Sequence, residues 1–248
     1  MVSALTLSFV LAAAATTVAG LPTIRGRLCD ILDVTPVALG TIEVWSAAGN
    51  LGYLTPTVSG TLGGGYGVIS SNQNQALNGV FACGDPGNSR SPVTLGAENA
   101  QTVPGDTDDA AIGLIAPYYP DGGSPNVGSG SANWLAMGPT YVTTDTSRRG
   151  SAPNGTGIIF ADEPAWFESN VWSTTGLILS GQSHVSLFPT WTNDDASGST
   201  PLLYFAAIPD QGAIVVTGDY DAFTSAYDYV GNWVQVWLVI GPQACDGC

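Results

Sequence analysis

The chain is built of short apolar runs, and each run is stopped by a cluster of Gly, Pro, Asn, Asp or Ser. That punctuation excludes a helical bundle, because no stretch keeps a 3.6-residue period long enough for a long helix. With 32 Gly and 16 Pro in 248 residues, turns are frequent and strands must be short. The reading predicts strands near Ile42–Ser46, Leu51–Val58, Tyr66–Ser70, Leu77–Cys83, Ile112–Ala116, Asn133–Met137 and Tyr141–Thr144. Further strands are predicted near Gly157–Phe160, Asn170–Trp172, His184–Phe188, Leu202–Ile208, Ala213–Thr217 and Val234–Ile240. Many short strands with turn chemistry between them favour a β-sandwich or barrel, and the fold expected is all-β, a β-sandwich or jelly-roll-like set of antiparallel sheets. The clearest hairpin is the pair of apolar arms joined by Asp210-Gln211-Gly212.

One short helix is expected near residues 219–230. Asp219 or Asp221 can cap its first amides, Phe223 and Tyr227 share a face, and Gly231 can supply a left-handed exit. The polar segments Gly84–Asp109 and Asp145–Gly157 read as long loops, either binding loops or disorder. A half-chain echo, Val44-Trp45-Ser46 against Val171-Trp172-Ser173, divides the chain into halves of about 40–120 and 165–242. Duplication and coincidence both remain open for it.

Residues 1–20 carry no charged side chain and hold an apolar core from Leu5 to Ala15, followed by small residues at Thr17 and Ala19 or Val18 and Gly20. This predicts a cleaved secretory signal, leaving 21–248 as a single β-rich domain outside the cell. An oxidising compartment suits the even count of Cys29, Cys83, Cys245 and Cys248, and two disulfides of undetermined pairing are expected. Asn154-Gly155-Thr156 is a glycosylation acceptor in a polar loop. No later segment holds ~20 consecutive apolar residues, so no membrane span is expected.

Charge narrows the partners. Twenty acidic and five basic residues give a net charge of -15, and every basic residue is Arg. Such a surface repels phosphate backbones and anionic membranes, so no nucleic acid is expected as partner. The absence of Lys excludes Schiff-base chemistry and a P-loop grip on phosphate. A single His excludes any site that needs two.

Four motifs occur together: Glu168-Ser169-Asn170-Val171-Trp172, Pro189-Thr190-Trp191-Thr192-Asn193-Asp194-Asp195, Val216-Thr217-Gly218-Asp219 with Phe223, and the final run Val234–Ile240. Taken together they resemble small secreted β-rich proteins of mushroom-forming (basidiomycete) fungi. The resemblance covers most of residues 40–242 and departs at Asp195, where that pattern has Gly more often. It implies an exported fungal β-protein. The family has no assigned activity, so it supplies no catalytic residue.

Glycan recognition fits the composition best. Sugars are held by aromatic faces flanked by Asn, Asp and Gln. The turn of Trp191, Asn193, Asp194 and Asp195 offers such a set, and Tyr118 with Tyr119 offers a second. Trp45, Trp172, Trp233 and Trp237 are expected in the interior. No Gly-x-Ser-x-Gly elbow marks a nucleophile, and His184 on a strand reads as structural. Glu168 and Glu163, beside Trp166 and Phe167, are the candidates for a carboxylate pair in an acid-active hydrolase. Asp106, Asp108 and Asp109 are candidate calcium ligands, and no other cofactor is expected. The leading expectation is a non-catalytic protein of the cell wall or another extracellular surface that binds glycans. A carboxylate hydrolase and a self-associating matrix protein are the alternatives. The sequence fixes neither ligand nor oligomeric state.

Overall fold

A computed structural model describes residues 37–58, 65–81, 95–97, 99, 111–116, 126–140, 150–152, 165–169, 171–179, 182–193 and 198–241. The all-β expectation holds. The strands are β1 (Val37–Ser46), β2 (Gly49–Leu54), β3 (Ile69–Ser70), β4 (Asn78–Phe81), β5 (Leu95–Ala97), β6 (Ala111–Ala116) and β7 (Trp134–Thr140). They continue as β8 (Gly150–Ala152), β9 (Ala165–Glu168), β10 (Trp172–Leu179), β11 (Gln182–Pro189), β12 (Tyr204–Ile208), β13 (Ala213–Thr217) and β14 (Val234–Ile240). The helix α1 spans Tyr220–Ala226.

All fourteen strands join one antiparallel sheet. Its order runs β14-β12-β13-β7-β6-β5-β4-β1, and β1 then pairs back onto β14, with Ile42 opposite Ile240 and Trp45 opposite Trp237. That pairing closes eight strands into a ring, which takes the place of two separate stacked sheets and removes two open edges. Strands β10 and β11 extend from the same edge of β14 that β12 uses further along.

Period-2 alternation decides which residues enter the ring. Ile42 and Val44 of β1, Leu135 and Met137 of β7, Phe205 and Ala207 of β12, Ile214 and Val216 of β13, and Val236, Leu238 and Ile240 of β14 belong to one buried core. Trp172 lies in it, donating from Nε1 to the Ile112 carbonyl (2.6 Å) and stacking on Phe205 with centroids 6.4 Å apart. The residues between them face outward. Ile115, Ala136, Ala206 and Val215 form a second core with Phe223.

The helix over that second core is shorter than expected. Asp219 caps it by accepting from the Ala222 amide (2.9 Å), but it ends at Ala226, with Tyr227 as C-cap. Gly231 is not its left-handed exit. It sits against Ile208 and Gln211, where a Cβ would come within 3.1 Å of Ile208 Cδ1. The hairpin between β12 and β13 is as expected, its turn closed by Gly212 in the left-handed region (φ 63°).

Two segments read as loops contain strands: β5 lies within Gly84–Asp109 and β8 within Asp145–Gly157. Of the expected strand Asn170–Trp172, only Trp172 lies in a strand, as the first residue of the longer β10, and Asn170 lies outside the described residues. The expected strands Tyr141–Thr144 and Gly157–Phe160, and the leader 1–20, lie outside the described residues. So do Cys29, Cys83, Cys245, Cys248 and Asn154.

Candidate functional site

The predicted turn splits when placed in the fold. Trp191 is 1% exposed and belongs to the inner core. Asn193 is buried as well, and its side chain mimics a strand partner. Val127 N donates to Asn193 Oδ1 (2.9 Å), and Asn193 Nδ2 donates to the Val127 carbonyl (2.7 Å) and to Ser199 Oγ (3.1 Å). Both ends of the amide are thus engaged in holding the 126–133 segment to this turn. Neither residue presents a face or a polar group to a sugar. Asp194 and Asp195, and the second pair Tyr118 and Tyr119, lie outside the described residues.

Glu168 ends β9, opposite Leu114 of β6, and is buried beside Phe167, which packs in the second core. Phe167 is therefore a packing residue and not a stacking platform. Glu163, Asp106, Asp108 and Asp109 lie outside the described residues. Among the described residues no three potential metal ligands cluster.

The aromatic surface lies elsewhere, on the outer face of β1, β14 and β11. Trp237, expected inside, is 41% exposed, and Trp45 is half-buried. They are cross-strand partners on one face, since Val44 and Leu238 beside them point into the core. Phe188, 43% exposed, lies one residue beyond the last β11–β14 pair, Leu187 with Leu238. Tyr204 lies one residue beyond the β12–β14 pair Phe205 with Val236. Both registers converge on Trp237. This is the fork where β14 passes from β12 to β11: Trp45 is the cross-strand partner of Trp237, and Phe188 and Tyr204 each stand one residue past the end of a pairing with β14.

Polar groups flank the row. Glu43 Oε2 accepts from Trp45 Nε1 (2.7 Å) and from Asn50 Nδ2 (3.2 Å), and His184 Nε2 stands 3.9 Å from the same oxygen. The imidazole also meets Trp45 edge-on at 6.4 Å. The Glu43 carboxylate occupies space that any side chain at position 241 would need, because a Cβ on Gly241 would lie 2.5 Å from Glu43 Oε1. Glycine there lets the carboxylate cross β14 toward β11. The anchored carboxylate in turn fixes the Trp45 ring. His184 thus stands in a pair that sequence separation conceals.

Next to the row is a cleft of about 580 Å³ between the start of β12, the end of β13 and the entrance of α1. Tyr204 lines it and also adjoins Trp237. Asp219 at its rim is committed to Ala222 and to Gly130, whose amide donates to Oδ2 (2.7 Å). Those backbone bonds hold the Asp219 pKa below its ordinary value. Tyr220 donates to the Trp233 carbonyl (3.1 Å), and burial, then the Asp221 charge, push its phenol up.

The missed residues left a signal in the alternation. Trp237 shares its parity with Gln235, not with Val236, Leu238 and Ile240, and Trp45 shares its parity with Glu43. Comparison with protein-family models, curated proteins and solved structures finds no match.

Proposed function

We propose that this chain is a secreted, non-catalytic glycan-binding protein of the cell wall or another extracellular surface. Its sugar contact is the row of Trp45, Trp237 and Phe188. The observation that carries the reading is this row: three adjacent strands present aromatic side chains on one face, two of them about two-fifths exposed, beside an anchored carboxylate and amide. A flat aromatic face matches the apolar C–H face of a sugar ring, and the exposed Asn50 amide can meet its hydroxyls, while the buried Glu43 carboxylate is spent on fixing the Trp45 ring.

Charge supports a neutral glycan over an acidic one. The described residues include no Lys or Arg, and the chain carries a net charge of -15. A sulfated or uronic chain finds no guanidinium here to pair with. The leader and the resemblance to exported fungal β-proteins support the location.

The test is a glycan array with the full chain and Trp237→Ala. Binding to neutral glycans that the substitution abolishes is the expected result. A blank array overturns the reading. Concentration-dependent sedimentation abolished by the same substitution, without glycan binding, assigns the row to self-association instead.

A further inference from the structure

We infer that the cleft beside Tyr204 is a second sugar subsite, so that the ligand is a linear oligosaccharide chain and not a single terminal sugar. The inference rests on the glycan-binding reading and extends it along the surface.

Continuity is the first argument. Tyr204 belongs to both features: it adjoins Trp237 by register and lines the cleft. Gln235 also lines the cleft and lies two residues before Trp237 on the same strand face. Two residues of strand advance ~7 Å. The row itself crosses two inter-strand steps, ~10 Å. One pyranose ring covers one indole face, so a surface of this extent holds consecutive sugar units.

The lining is the second argument. Leu202, 71% exposed, supplies an apolar contact at the rim. Opposite it stand the hydroxyls of Ser129 and Tyr204, the Gln235 amide and the exposed Asp221 carboxylate. An apolar rim facing a few donors and acceptors suits a sugar ring, and a volume of about 580 Å³ is ample for one.

The experiment is titration calorimetry of the full chain with neutral β-linked glucose and N-acetylglucosamine oligomers, dimer to hexamer. Three proteins are compared: the native chain, Trp237→Ala, and the exposed double variant Leu202→Ala with Gln235→Ala. Native affinity should rise by about tenfold or more from trimer to hexamer. The double variant should bind the trimer like the native chain and lose about tenfold on the hexamer. Trp237→Ala should weaken every length. Native affinity that levels off at the trimer, or a double variant that binds hexamer like the native chain, overturns the second subsite and leaves the row intact. No binding at any length, or native binding by Trp237→Ala, overturns the row and the subsite with it. Circular dichroism of each variant separates lost binding from lost fold.

Discussion

The outer face of the sheet has two different regions, or arcs, one on the ring strands under the helix and one where β1 and β14 meet the added strand β11. On β12, β13, β7 and β6 the outward residues include Ala206, Val215, Ala136 and Ile115, and Phe223 of α1 is fully buried against them. Tyr227 and Trp233 complete that cover, with centroids 4.9 and 4.8 Å from the Phe223 ring. On β1, β14 and β11 the outward residues Trp45, Trp237 and Phe188 stand proud, and the latter two stay open to solvent. Trp134 of β7 and Phe167 of β9 lie in the same covered cluster, so the arcs differ in whether helix α1 and its flanking rings cover them, not in the size of the outward side chains. Aromatic content is high in both arcs, yet it packs the fold in one and faces outward in the other.

The sharpest way to break this contrast is to truncate one aromatic in each arc. Phe223→Ala should cost about 3–5 kcal/mol in urea unfolding, because it removes a buried ring and leaves a cavity. Trp237→Ala should cost about 1 kcal/mol, since much of its surface is already wet, while abolishing glycan binding. Equal destabilisation by the two would erase the distinction between the arcs.

The turn at Trp191 sharpens the contrast from the other side. Asn193→Ala leaves the buried Val127 amide and carbonyl without their partner and should cost about 2–3 kcal/mol. Its glycan affinity, measured where the protein remains folded, should match the native chain. A large affinity loss in a folded Asn193→Ala protein would return the sugar site to this turn.

Within the open arc, Gly241→Ala should cost about 1–3 kcal/mol by pushing the Glu43 carboxylate off its seat. Most of that cost should vanish in a Glu43→Ala background, a coupling that a double-mutant cycle reads directly. Additive effects would mean that the crowding lies elsewhere.

The smallest effect is at the entrance of the covered arc. Backbone bonds from Ala222 and Gly130 lower the Asp219 pKa, so its charged form favours the folded state. The resulting stability is present above the ordinary Asp value of ~3.9 and is lost as pH falls through the lower folded-state value. Asp219→Asn should therefore melt a few degrees below the native chain at neutral pH, with the gap closing in strong acid. A gap that widens in acid would contradict the assignment.

Much of the fold was legible because the alternation is strong where both faces are spoken for. Val234–Ile240 and Ala213–Thr217 form strands with the expected bounds, and Ile112–Ala116 gains only Ala111. β5 and β8 were not legible. Leu95-Gly96-Ala97 and Gly150-Ser151-Ala152 are too short and too poor in branched residues to carry a period, and they are strands because β4, β6 and β9 pair with them. A barrel was open as an alternative, but which strands close it was hidden, since closure depends on β1 meeting a strand nearly two hundred residues away. The burial of two tryptophans was misread for a related reason. Trp191 in a polar turn resembled a platform, whereas Trp237 in an apolar run resembled core. The turn folds inward, held by Asn193, while the parity of Trp237 with Gln235 turns its ring outward.

The most direct measurement is tryptophan fluorescence of the full chain during titration with a neutral β-linked hexasaccharide, repeated with Trp237→Phe. The account predicts a saturable blue shift in the native chain, as a sugar ring shields the exposed indole, and loss of that shift in Trp237→Phe with folding retained. The same blue shift in both proteins, or none in either, would contradict it.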